Sequence, residues 1–187
     1  MRVVTLDNKA FEEVCHDLAG KVVIDGYLPD LIVGIATGGV YVSRHIMPSV
    51  PHAVISCQRP STAVKDSNKT LMNIVQCLPL WCRNLLRIVE AMLLGCNKSR
   101  RLPQVDIDKE CINAIKASKY ILVVDDAVDS GNTLMAVKET IESLDSDVEI
   151  RTAAITVTTS APAIIPDYYI YHNRTLIRFP WSKDAAK

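Results

Sequence analysis

The feature that most constrains this chain of 187 residues is the stretch from Tyr120 to Leu134. Ile121, Leu122, Val123 and Val124 make a short apolar run rich in β-branched residues, which predicts a buried strand of a parallel sheet. Asp125 and Asp126 end that strand, and a short loop over residues 127–131 follows. Leu134, Val137, Ile141 and Leu144 then set a helical spacing over residues 133–144. Open α/β sheets build ligand sites in this order, at the carboxyl end of a strand.

The residue types narrow the ligand. A loop entering a helix presents unpaired backbone N–H groups and the positive end of the helix dipole, which suits a phosphate. Gly131 allows close approach, and the hydroxyls of Ser130 and Thr133 can donate to phosphate oxygens. Two carboxylates just upstream would repel that phosphate. They make sense as acceptors for sugar hydroxyls or as ligands of a hard cation such as Mg²⁺. A phosphate at one end and a diol at the other describe a ribose 5-phosphate. An ordinary capped turn accounts for one acid here, not for Asp125, Asp126 and Asp129 together.

The eleven residues from Val123 to Thr133 resemble the 5-phosphoribosyl 1-pyrophosphate (PRPP) motif of the type I phosphoribosyltransferases. The opening, Val4-Thr5-Leu6-Asp7 before an amphipathic pattern, is similar to that of the family's xanthine-guanine branch. The resemblance implies a mostly parallel twisted α/β sheet flanked by helices, with a small C-terminal hood. It divides the chain into a core over 1–160, a helical insertion at about 70–96, and a hood over 161–187.

Composition agrees with one such domain. Apolar residues make up 49% of the chain, and 21 Lys and Arg balance 21 Asp and Glu. That balance argues against a general nucleic-acid or membrane-surface binder. The first residues show no apolar leader, and six cysteines show no Cys-x-x-Cys spacing. Reduced, buried thiols in a cytoplasmic protein are expected, rather than zinc or disulfides.

Along the chain, Val3 to Thr5 suggests a short edge strand, and Asp7 an N-cap for a helix presenting Phe11, Val14, Leu18 and Val22. Asp30 leads into an apolar strand over 31–35, and a helix over 40–47 stops at Pro48. The turn between them, Thr37-Gly38-Gly39, is a second candidate anion site. By resemblance it is the pyrophosphate loop, which often carries a non-proline cis peptide. A strand is expected over 53–57, then a polar loop holding Arg59, Lys65 and Lys69. Leu71, Ile74, Val75, Leu78, Cys82, Leu85, Val89 and Met92 follow helical spacing, with an apolar face wide enough to meet the domain or a second subunit. A homodimer or higher homo-oligomer is expected. Residues 97–101 form a short basic cluster, a helix is expected over 109–117 and a strand over 148–157.

What the resemblance implies for the site is specific. Asp125 and Asp126 hold the ribose hydroxyls and Mg²⁺, and Ala127, Val128, Asp129, Ser130, Gly131, Asn132 and Thr133 surround the 5-phosphate. Asp129 serves as general acid/base facing the base. Leu176 and Ile177 lie beside that base, and Trp181 belongs to the hood core. Three positions depart from the family pattern: Thr37 replaces a basic residue, Thr158-Thr159-Ser160 lacks the lysine that bonds a 6-oxo group, and Leu176 replaces the stacking aromatic. The resemblance implies PRPP and a purine-like nucleobase as substrates. A protein that binds PRPP or a nucleotide as a regulator, without turnover, is the second reading.

Overall fold

A computed structural model describes residues 2–58, 103–173 and 175–182. The expected basic loop after Gln58, the helical insertion and the cluster at 97–101 lie outside the described residues.

The elements follow the hydrophobic pattern closely. β1 (Arg2–Thr5) leads to α1 (Asn8–Ile24), and Asp7 caps that helix by accepting from the Ala10 N–H at 2.8 Å. β2 (Leu31–Ile35), α2 (Gly38–Ile46) and β3 (His52–Gln58) follow. After residue 102 come β4 (Gln104–Asp106), α3 (Lys109–Lys116), β5 (Tyr120–Val128) and α4 (Asn132–Leu144). β6 (Glu149–Val157), β7 (Tyr168–His172) and β8 (Thr175–Arg178) complete the described chain.

Six strands form one sheet in the order β4-β3-β2-β5-β6-β7, parallel except where β4 runs against β3. β1 pairs with β8 in a separate two-stranded parallel sheet, so the expected edge strand sits outside the large sheet. β7, in the segment expected to form the hood, pairs with β6 instead.

Strand alternation divides the core between the two faces of the sheet. Ile32, Leu122, Val124, Ala153 and Ile155 pack against Phe11, Leu18 and Val22 of α1 and Val42 and Ile46 of α2. Leu31, Val33, Ile121, Val123 and Ala154 pack against Cys111 and Ile115 of α3 and Leu134, Val137 and Ile141 of α4. Both faces are covered, which is why the central strands read as continuous apolar runs. Asp30 locks the entry to the two central strands, its carboxylate accepting from the N–H groups of Lys119 and Tyr120 at 2.9 and 3.1 Å.

No helix among the described residues is long and apolar enough to cross a membrane. Cys15 and Cys111 are buried free thiols, and Cys57 is half-buried. Burial, with Glu12 adding, pushes the Cys15 thiol up to about 12, and burial with Asp108 adding pushes Cys111 up to about 11. Both folded values exceed the ordinary thiol value of about 8.5, so the neutral thiols contribute stability that is fully present below that pH. It is lost as pH rises from there toward the folded values. Urea midpoints should therefore fall between about pH 8.5 and 11, and the fall should be shallower in Cys15→Ala. An identical pH slope in the variant would show that Cys15 contributes nothing to it.

Candidate functional site

The large sheet reverses its strand order between β2 and β5. The chain leaves β2 toward β3 on one side and later returns to place β5 on the other. The carboxyl ends of these two neighbours open a crevice at the switch point of the fold. β2 and β5 are in parallel register, with Gly34 opposite Val124, so the turn that follows β2 runs beside the second half of β5 in that crevice.

Gly38 and Gly39 make the meeting possible. A Cβ on Gly39 would overlap the carbonyl oxygen of Val124 and approach the Asp125 Cα at 2.9 Å. A Cβ on Gly38 would overlap the Asp126 carboxylate. Two segments more than eighty residues apart, each expected to hold one end of the same ligand, are therefore in direct contact across the switch point. The peptide between Ala36 and Thr37 is cis, and α2 begins at Gly38, two residues earlier than its apolar pattern suggests. Thr37 is exposed, Gly38 half-buried and Gly39 buried.

The acidic pair does not end its strand. β5 continues through Ala127 and Val128, which lie opposite Thr156 and Val157 of β6, and the Thr158 N–H extends the ladder to the Val128 carbonyl at 3.0 Å. The expected loop over 127–131 is thus corrected to Asp129, Ser130 and Gly131, because β6 supplies a partner beyond the acids. Val128 is core, at 2% exposure, and offers only its backbone to the site. Asp125 is buried, its Oδ1 accepting from the Asp126 N–H at 2.9 Å.

Gly131 takes φ +78°, a conformation that favours glycine, and caps α4 without a side chain. A Cβ there would also meet the backbone of Ala163 and Ile164 at 2.8–3.0 Å. The Ser130 hydroxyl lies 3.4 Å from the Asn132 N–H, and Asn132 and Thr133 open the helix half-buried. Asn132 is helical, one residue earlier than expected.

The segment after β6 clamps this turn. Thr158 donates its hydroxyl to Asp129 Oδ1 at 2.6 Å, Thr159 donates to the Asp129 carbonyl at 3.1 Å, and the Ala163 N–H donates to the Ser130 carbonyl at 2.7 Å. The sequence marks Thr158 and Thr159 only as places where a lysine is absent. Their pairing with Asp129 depends on β5 and β6 being neighbours, which no local pattern in either strand states.

On the tail side, Ile177 is buried with Leu6, Phe11 and Phe179, while Leu176, half-buried, alternates to the other face of β8. Trp181 stacks on Phe179 at 4.7 Å and on Tyr41 of α2 at 4.5 Å, with Phe11 edge-on at 5.0 Å. Tyr41 is a further residue that the sequence left unmarked; its place in a polar helical turn hides a partner that comes from the other end of the chain.

Comparison with solved structures agrees with this architecture. A purine phosphoribosyltransferase from Pyrococcus horikoshii superposes with a TM-score of 0.62 at 22% identity, over 100% of this chain and 99% of that one. The xanthine-guanine-hypoxanthine phosphoribosyltransferase of Helicobacter pylori gives 0.60 at 17% identity, over 98% and 95%. A hypothetical protein from Neisseria gonorrhoeae, solved with bound ppGpp, gives 0.65 at 16% identity, over 98% and 92%. The fold is that of the type I phosphoribosyltransferases. No protein-family model and no curated protein matches the chain.

Within that fold the two glycines admit a direct check. Gly39→Ala places a methyl group against backbone that has no side chain to move, and should cost about 1–3 kcal/mol. Gly20→Ala, in the interior of α1 with nothing within 4 Å of its Cβ, should instead gain about 0.5–1 kcal/mol. Chemical denaturation of both variants reads the contrast; a neutral Gly39→Ala would mean the turn after β2 is not in contact with β5.

Proposed function

We propose that this protein moves the 5-phosphoribosyl group of PRPP to a ring nitrogen of a purine-like nucleobase, releasing pyrophosphate. The observation that carries this reading is the contact of Gly38 and Gly39 with β5 at Val124, Asp125 and Asp126, a few residues before the Asp129-to-Gly131 turn. One crevice then offers a glycine turn for pyrophosphate, carboxylates for a sugar diol, and a helix entrance for the 5-phosphate.

In the reaction the bond from the anomeric carbon to the pyrophosphate oxygen breaks, and a bond from that carbon to the base nitrogen forms. Pyrophosphate takes the electron pair of the broken bond, and the base gives up a ring proton. Asp129 is assigned to receive that proton, since its carboxylate lies one residue before the phosphate-binding loop and its Oδ1 is already fixed by Thr158. Asp125 and Asp126 orient the ribose, and their charge stabilises the cationic character that develops at the anomeric carbon. Ser130 to Thr133 hold the 5-phosphate, and Thr37 to Gly39 the pyrophosphate.

The donor set also fits Mg²⁺. Among the described residues there is no cluster of three or more His, Cys, Asp or Glu that would form a metal site by itself. Mg²⁺ is commonly held by one or two carboxylates together with substrate phosphates, which suits Asp125 and Asp126 beside a pyrophosphate loop. When bound there, the ion would neutralise charge on the departing pyrophosphate.

The test is mass spectrometry after incubation with Mg²⁺, PRPP and a mixture of purine and pyrimidine bases. A new nucleotide peak is expected, and Asp129→Asn should lower its formation about 10²–10⁴-fold while Mg·PRPP binding is kept. PRPP retained without turnover would move the reading to a PRPP-binding regulator. Full activity in Asp129→Asn would remove the role given to that residue.

A further inference from the structure

We infer that Thr158 positions Asp129 and makes the adjoining edge of the site select an acceptor base by its hydrogen-bond donors, an aminopurine in preference to an oxopurine. The inference rests on the reading of the site given above. Its basis is the set of bonds joining the end of β6 to the end of β5. The Thr158 N–H donates to the Val128 carbonyl at 3.0 Å, the Thr158 hydroxyl to Asp129 Oδ1 at 2.6 Å, and the Thr159 hydroxyl to the Asp129 carbonyl at 3.1 Å. Side chain and main chain of Asp129 are thus both held from two consecutive residues.

The hydroxyl-to-carboxylate distance lies in the short range for an ionised acceptor. Thr158 is buried, at 6% exposure, so water does not compete freely for that bond. With Oδ1 held, Oδ2 is the oxygen assigned to the ring N–H of the acceptor. A threonine hydroxyl carries one proton and two lone pairs. Its proton is committed to Asp129, so it has none left to give a carbonyl oxygen of the base. A lysine ammonium at the same position would carry three donors and could serve the carboxylate and an oxo group together. Residues 158–166 contain no Lys or Arg that could supply the missing donor from this segment. The edge formed by Thr158 and Asp129 therefore presents acceptors, which match an exocyclic amino group and a ring N–H and leave an oxo group facing lone pairs.

Calorimetry with 9-deazaadenine and 9-deazahypoxanthine tests this without turnover. Both keep the N7–H donor, and carbon at position 9 prevents glycosylation there. With Mg·PRPP bound, the wild-type protein should bind 9-deazaadenine at least about tenfold more tightly than 9-deazahypoxanthine. Thr158→Val should lose about tenfold in 9-deazaadenine affinity and Thr158→Ser should keep it, while Mg·PRPP affinity alone changes less than about threefold in either. Thr158→Lys should reverse the preference. A purely structural threonine would weaken Mg·PRPP and both deazapurines alike, which overturns the inference, as do equal affinities for the two bases or binding of neither. A wild-type protein that binds no Mg·PRPP would instead overturn the function proposed above.

Discussion

The site depends on one close approach. The turn after β2 lies so near β5 that no side chain fits between Gly39 and the Val124 carbonyl. Parallel pairing of β2 with β5 brings the end of β2 level with the acidic pair, and absence of a Cβ at Gly38 and Gly39 lets the turn after β2 close onto it. Larger residues at Gly38 and Gly39 would hold this turn away from Asp125 and Asp126. The buried faces of β2 and β5 hold this alignment, because a slip of one residue would move Ile32, Leu122 and Val124 from one core to the other.

Much of this was legible in the chain because it rests on local periodicity. The apolar runs at Leu31–Ile35 and Ile121–Val124, the Asp7 cap and the spacing of Leu134, Val137 and Ile141 all describe elements that the structure contains. The end of β5 was harder to place. Asp125 and Asp126 read locally as a strand stop, yet Thr156 and Val157 continue the ladder beside Ala127 and Val128. A neighbouring strand decides that, and its presence cannot be read from the acids themselves. The same limit hid the partner of β1, since Thr175–Arg178 lies at the far end of the chain.

The candidate site divides in the same way. Its phosphate side comes from consecutive residues, Asp129 to Thr133, and a contiguous motif is visible in a sequence. Its clamp comes from Thr158, Thr159 and Ala163, which act only because β6 lies beside β5. Threonines at a strand end have an ordinary explanation as β-formers, so nothing local distinguishes a hydroxyl that holds a carboxylate from one that does not.

The tail carries this separation further. Trp181 lies between Phe179 and Tyr41, and Tyr41 stands two residues beyond Gly39 on the helix that begins at the pyrophosphate turn. Aromatic packing of this kind is worth about 0.5–1.5 kcal/mol per pair beyond burial, enough to seat the tail against α2 but small beside the core that holds β2 and β5. β1 and β8 add a two-stranded sheet, its ladder extended by the Leu6 N–H on the Arg178 carbonyl and tied to β6 by the Thr156 hydroxyl on the Thr175 carbonyl. Under the proposed function, the half of the site assigned to phosphate and sugar therefore stands on the central sheet, whereas the half assigned to the acceptor is assembled from the clamp after β6 and the tail. A change such as lysine to threonine at position 158 alters the acceptor edge without disturbing the glycine contact between β2 and β5. That physical separation lets the edge at Thr158 vary while the contact of Gly38 and Gly39 with β5 stays in place.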